Sequence, residues 1–184
     1  MNSDSKKVIV ICGMKGAGKS FFASKLQERG IICFDTDRQI LLDNPSFQSV
    51  KELYQRIGEK LFRQAELQAL QSVFESIESS DEKHFCISAG GGLAANPDGM
   101  ELISSMKQKL PIRTAYLRQD KQILYQRATE KGLPAYLNHS DSQSQFFSIT
   151  QERDLTYLNF CDFVIELKDC RSSEETEDLL FSFF

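Results

Sequence analysis

The sequence predicts an α/β fold: a five-stranded, mostly parallel sheet with helices on both faces. Three observations predict it. Five short apolar runs, near residues 8–12, 31–34, 84–88, 111–117 and 162–166, alternate with stretches of helical periodicity. A glycine-rich turn, Gly13-Met14-Lys15-Gly16-Ala17-Gly18-Lys19-Ser20, joins the first run directly to a helical pattern. The second run ends in Asp35-Thr36-Asp37. Carboxylates at the carboxyl end of a parallel strand point into the crevice where such sheets bind ligands.

Each element follows in order. Residues 8–12 (Val-Ile-Val-Ile-Cys) are β-branched and apolar throughout, as a strand buried on both faces should be. The turn after it fits G-x-x-x-x-G-K-[ST], a loop whose backbone N–H groups curl around phosphate oxygens. The start of the following helix adds partial positive charge at the same spot. In this pattern Lys19 reaches the β- and γ-phosphates and the Ser20 hydroxyl ligates Mg²⁺. Lys15 sits at a variable position of the pattern and is assigned no role. Phe22 and Leu26 fall on one helix face, and Gly30 reads as the C-terminal stop. The chain is therefore expected to bind a nucleotide.

Asp35 or Asp37 alone would read as the cap of the next helix, but two acids so close to a phosphate loop are better explained by metal and substrate, and one of them can cap as well. Residues 44–46 (Asn-Pro-Ser) mark a turn or helix start. Residues 49–79 are strongly helical and lack proline, with Leu53, Ile57 and Leu61, and then Phe62, Glu66 and Leu70, at four-residue steps. Gly58 predicts two helices or a kink there. Arg63 and Glu66 share a helix face, which by itself is equally a surface ion pair of little value. Gly90-Gly91-Gly92 follow the third run and suit either a tight turn or close approach to a ligand. A helix is expected over 122–131, then a break over 132–138 and a polar stretch over 140–144, together a candidate lid. A helix over 146–159 carries Arg153 and Tyr157. A terminal amphipathic helix over 174–184 is expected to cover the sheet with Leu179, Leu180 and Phe183.

Composition bounds the partners. With 184 residues, 41% hydrophobic and 26% charged, a single domain with a substantial core is expected. A net charge of -4 gives no support to a nucleic-acid surface. No apolar run approaches the roughly 20 residues that span a bilayer, so no membrane partner is expected. The polar residues 1–7 do not read as a secretory signal. The five cysteines form no C-x-x-C pair, which leaves zinc unsupported and fits free thiols in a reducing cytoplasm.

Taken together, these segments resemble shikimate kinase over nearly the whole chain. The matching residues are the phosphate loop at 13–20, Asp-Thr-Asp at 35–37, Gly58-Glu59, Phe62-Arg63 with Glu66, the triple glycine, Arg127, and Arg153 with Tyr157. The resemblance implies a fold like that of nucleoside-monophosphate kinases, with ATP and Mg²⁺ as cofactors and transfer of the γ-phosphate to the 3-hydroxyl of shikimate. It implies nucleotide contacts along Gly13, Gly16, Ala17, Gly18, Lys19, Ser20 and Phe21, with Arg127 near the adenine. Ser20 and Asp35 would hold the metal, and Lys19 and Asp37 would be catalytic. Asp37, Arg63, Gly90, Gly91, Gly92 and Arg153 would bind shikimate, and Glu66 would hold Arg63 in place. The substrate-binding segment would be about 37–66 and the lid about 129–145, in a monomeric cytoplasmic enzyme. One position departs from the pattern: the family carries an arginine before the lid proline, whereas Leu133 precedes Pro134. Lys131 is the nearest cation expected to stand in, as a point charge without the planar fork. A different small-molecule kinase of this fold, such as a gluconate kinase, would share the loop but gives no reason for Asp37, Arg63 and Arg153 together. A non-catalytic nucleotide-binding module is the remaining alternative; the Asn-Lys-x-Asp run of a guanine-reading switch is absent.

Overall fold

All five expected strands form, and all run in one direction. The structure is a computed structural model that describes residues 5–130, 132–137, 140–167 and 173–184. The chain runs β1 (Lys7–Cys12), α1 (Lys19–Glu28), β2 (Ile32–Asp35), α2 (Thr36–Asp43), α3 (Val50–Ser79), β3 (His84–Ser88) and a short 3₁₀ turn at Leu93–Ala95. It continues with α4 (Pro97–Met106), β4 (Ile112–Gln119), α5 (Lys121–Thr129), α6 (Ser142–Phe160), β5 (Phe163–Leu167) and α7 (Ser173–Phe181). The strand order is β2-β3-β1-β4-β5, and every neighbouring pair is parallel.

The central strand explains the layers. Val8 to Cys12 are inaccessible to solvent, because alternate side chains enter two separate cores. Ile9 and Ile11 pack with Phe22, Leu26, Leu124 and Leu180 on the α1, α5 and α7 side. Val8, Val10 and Cys12 pack with Leu70, Phe74, Ile103 and Tyr157 on the α3, α4 and α6 side. Burying each such aliphatic side chain contributes about 1.5–3 kcal/mol. A third, smaller cluster of Ile40, Leu53, Phe62, Ala65 and Ala69 joins α2 to α3.

The chain leaves β1 toward β2 on one side and leaves β3 toward β4 on the other. Adjacent strands whose connections diverge open a crevice at their carboxyl ends, and the loops after β1 and β3 form its rims.

Local differences from the pattern have local causes. Gly58 interrupts α3 with φ 76° and ψ 170°. The kink turns the helix face, so Phe62, Glu66 and Leu70 are buried while Leu61 is 52% exposed. Helix α6 begins at Ser142, so the polar residues 142–145 form its first turn rather than lid. Leu180 is buried, but Leu179 points outward and is exposed. Helix α4 is additional to the expected elements: Asn96 caps it, Pro97 opens it, and Ile103 and Met106, three apart, form its buried face. Cys12 and Cys86 are buried free thiols, Cys33 and Cys161 partly buried ones, and Cys170 lies outside the described residues. No described helix is long and apolar enough to cross a membrane.

Candidate active site

The phosphate loop takes its shape from its glycines and from the buried Lys19. Gly18 caps α1 with φ 88°, and Gly16 has φ 90° with a Cβ there falling 3.0 Å from the Leu124 carbonyl oxygen. A side chain would be strained at both positions. Gly13 opens the loop, and Ala17 is fully buried within it. Lys19 folds back into the loop, where its Nζ donates to the carbonyls of Gly13 at 2.8 Å and Met14 at 3.0 Å. Burial lowers its pKa, opposed chiefly by the negative charge of Asp37. The ammonium is thus close to neutral loop oxygens that a phosphate would displace.

Asp35 caps α2 with one carboxylate oxygen and turns the other toward the end of the phosphate loop. Its Oδ1 accepts from the backbone N–H groups of Asp37 and Arg38, capping α2. Its Oδ2 accepts from the Ser20 hydroxyl at 2.9 Å. Two hard oxygen donors therefore meet where the phosphate loop ends. Among the described residues no group of three or more His, Cys, Asp or Glu gathers to cage a metal. A cation here would take its other ligands from phosphate and water.

Across the crevice lies a cleft of about 470 Å³ lined by residues of α2, α3, α6 and the two rim loops. Asp37, in the first turn of α2, faces it; burial pushes its carboxyl up to about 6, with Lys19 opposing that rise. Arg63 Nη1 pairs with Glu66 Oε2 at 2.7 Å and Nη2 with Glu59 Oε1 at 3.2 Å. Glu66 is only 7% exposed, so this is no surface ion pair. Arg153 reaches in from α6 and donates to the Gly91 carbonyl at 3.0 Å. Tyr157 is fully buried and supports the same carbonyl from 3.5 Å.

The triple glycine is where these groups converge. A Cβ at Gly90 would lie 2.6 Å from Asp37 Oδ1, and one at Gly92 would meet the Arg63 guanidinium first and Glu66 Oε1 at 2.8 Å. The side chains of Asp37 on α2 and of Arg63 and Glu66 on α3 already occupy the space a side chain on this loop would need. Gly91 packs as closely against the backbone of Lys15, which joins the two rims and lines the cleft.

Of the residues expected at the site, Lys19, Ser20, Asp35, Asp37, Arg63, Glu66, Gly91, Gly92 and Arg153 share this cleft. Phe21 is at its rim, 48% exposed. Arg127 stands apart on α5, with Nη1 3.5 Å from the Gly16 carbonyl on the outside of the loop. Lys131 lies outside the described residues. Leu133 packs against the apolar core beneath, while Pro134, Ala135 and Tyr136 line the cleft.

Two supporting residues were not visible in the sequence. Asn96 Nδ2 donates to Glu66 Oε2 at 3.2 Å and to the Arg63 carbonyl at 2.9 Å, while its Oδ1 caps α4. Thr36 Oγ1 accepts from the Gly90 N–H at 2.8 Å. The Asn96-Pro97 pair is a helix-start signal, but nothing in it points to Glu66.

Comparison with known proteins agrees with this geometry. The family model described as shikimate kinase matches residues 15–182. A shikimate kinase of Stenotrophomonas maltophilia (strain R551-3) is 26% identical over 173 residues, covering 94% of this chain and 89% of that protein. A shikimate kinase of Xanthomonas euvesicatoria pv. vesicatoria (strain 85-10) is 28% identical over 173 residues, covering 94% of this chain and 89% of that protein. The solved shikimate kinase from Acinetobacter baumannii in complex with shikimate superposes with a TM-score of 0.78 at 20% identity, over 97% of this chain and 91% of that one. The structural likeness shows the fold, and the family match over nearly the whole length shows more: the chain belongs to the shikimate kinase family of ATP-dependent kinases.

Proposed function

We propose that this chain transfers the γ-phosphate of ATP to the 3-hydroxyl of shikimate. The observation that carries the reading is that Arg63, Arg153 and Asp37 converge in one cleft opposite the phosphate loop. Guanidinium forks suit a carboxylate, and a carboxylate suits the ring hydroxyls of the same small acid. Arg63 and Arg153 anchor the acceptor by its carboxylate, and Glu66 keeps the first of them in place. The Gly91 backbone flanks the ring, and Gly90 and Gly92 make room for the Asp37, Arg63 and Glu66 side chains that face it.

Asp37 orients the 3-hydroxyl and takes its proton as the oxygen attacks the γ-phosphorus. The bond to the β–γ bridging oxygen breaks, and its electron pair leaves with ADP. Lys19 exchanges its loop carbonyls for phosphate oxygens and stabilises the charge on the transferring group, the main source of catalysis in this reaction class. The Ser20 hydroxyl and Asp35 Oδ2 would hold Mg²⁺, which supplies charge neutralisation for the phosphates when bound. Arg127, beside Gly16, is assigned to the adenine side. The free thiols support a cytoplasmic setting.

The experiment is ATP consumption by the purified protein with and without shikimate, with gluconate as the rival acceptor. Shikimate-dependent ADP formation and a phosphate ester on the 3-oxygen are expected. ADP formation with gluconate and not with shikimate overturns the reading.

A further inference from the structure

The side-chain polar atoms that are buried without a hydrogen-bond partner among the described residues are Arg63 Nε, the Tyr136 hydroxyl and Thr176 Oγ1. Two of these orphans belong to the same cleft. Buried donors are rarely left unpaired, since each forfeits its water without replacement. Two in one pocket imply a ligand group that satisfies both.

Tyr136 is set for such a role. Its ring packs on the apolar core with Leu133, and the Arg153 guanidinium lies 5.1 Å from the ring centroid. Burial raises the phenol above its ordinary pKa, partly offset by the charges of Arg153 and Arg63, so it stays a neutral donor at any working pH. Arg153 faces the hydroxyl oxygen and helps hold the phenol pKa down, but as a donor it leaves the O–H proton without an acceptor. A phenol donor held beside two guanidinium groups, one with a spare N–H, has one chemical complement, an anionic oxygen.

We propose that the Tyr136 hydroxyl is a third donor to the carboxylate of the acceptor, alongside Arg63 and Arg153. The segment before α6 thereby grips the acceptor, while Leu133 in the same segment anchors it to the core. This rests on the shikimate kinase reading and adds to it a residue that sets acceptor affinity and selects for a carboxylate.

The test is Tyr136→Phe, which keeps the ring and removes only the unpaired hydroxyl. Its ligand-free melting temperature should equal or exceed that of the wild type. The KM for shikimate should rise about tenfold or more, with the KM for ATP unchanged. The stabilisation of the protein by shikimate in thermal melts should shrink in step. The shikimate analogue with a hydroxymethyl group in place of the carboxylate should be used equally poorly by both proteins. An unchanged shikimate KM in a folded variant overturns the proposal, and so does an equal loss on both acceptors. Failure of the wild type to consume ATP with shikimate is a different result and overturns the underlying function instead.

Discussion

Lys19 and Asp37 are each other's electrostatic context, and each can be tested alone. Lys19 is buried but bonds only to loop carbonyls. Lys19→Ala should therefore stay folded while kcat falls by about a hundredfold or more, read by circular dichroism and ADP release. Asp37 has a folded pKa of about 6, above the ordinary carboxylate value. Its proton is held more tightly in the folded state, so the group costs no stability below about pH 4 and its ionisation costs stability as pH rises through about 6. Asp37→Asn should be more stable than the wild type at pH 8 by about 1–3 kcal/mol, with the gap closing below pH 4, in denaturant titrations. The same variant should lose activity, and wild-type kcat/KM for shikimate should fall as pH drops through about 6. The arginines should separate in a similar way. Arg153→Ala should raise the shikimate KM about ten- to a hundredfold with ATP binding intact. Arg63→Ala should do the same and also lower the melting temperature, because it strands the buried Glu66 charge.

The helices position these residues by means that differ in how local they are. Asp35 caps α2 from the adjacent residue, so the site of Asp37 follows directly from the end of β2. Helix α3 brings Arg63 and Glu66 into the cleft only after the break at Gly58, which lets its first part pack on α2 and the rest on the sheet. Helix α4 packs on α3 through the shared core, and its cap residue Asn96 adds hydrogen bonds to α3. Asn96→Ala should cost about 0.5–2 kcal/mol from the lost cap alone. It should also raise the shikimate KM, because Glu66 loses a donor that helps hold it against Arg63. Denaturant unfolding together with acceptor kinetics checks both. A change in stability without a change in KM would make Asn96 a cap and nothing more.

At the scale of the molecule, the parallel sheet puts the phosphate loop and the triple glycine on facing rims of one crevice. Donor and acceptor therefore meet between rigid elements, and what has to move is the cover. A phosphoryl donor open to water would be hydrolysed without transfer, so the described lid residues 132–137 should close when both substrates are present. Hydrogen exchange of this segment should slow with ATP analogue and shikimate together, and less with either alone. Identical exchange in all three conditions would make the segment a plain loop. Because Leu133 is partly buried against the core, Leu133→Arg should lower the melting temperature, and an unchanged thermal melt would show that this contact contributes nothing.

Much of this architecture was written in local patterns. The β-branched run before the phosphate loop, the Gly30 stop, the Gly58 break and the Asp35 cap each depend on neighbours within a few residues, and periodicity reads such signals directly. The same is true of the chemistry of Lys19 and Ser20, whose roles follow from spacing within one loop. What lies across sequence could not be read that way. Nothing near Asn96 announces that it meets Glu66, and nothing near Gly92 says that the Arg63–Glu66 pair occupies the space of its missing side chain. Leu133 and Tyr136 stand in one short segment and both pack against the core, yet only Tyr136 also faces the cleft. Such choices are made by packing against distant elements, where steric exclusion and the cost of burying an unpaired polar group act between residues that only the folded chain brings together.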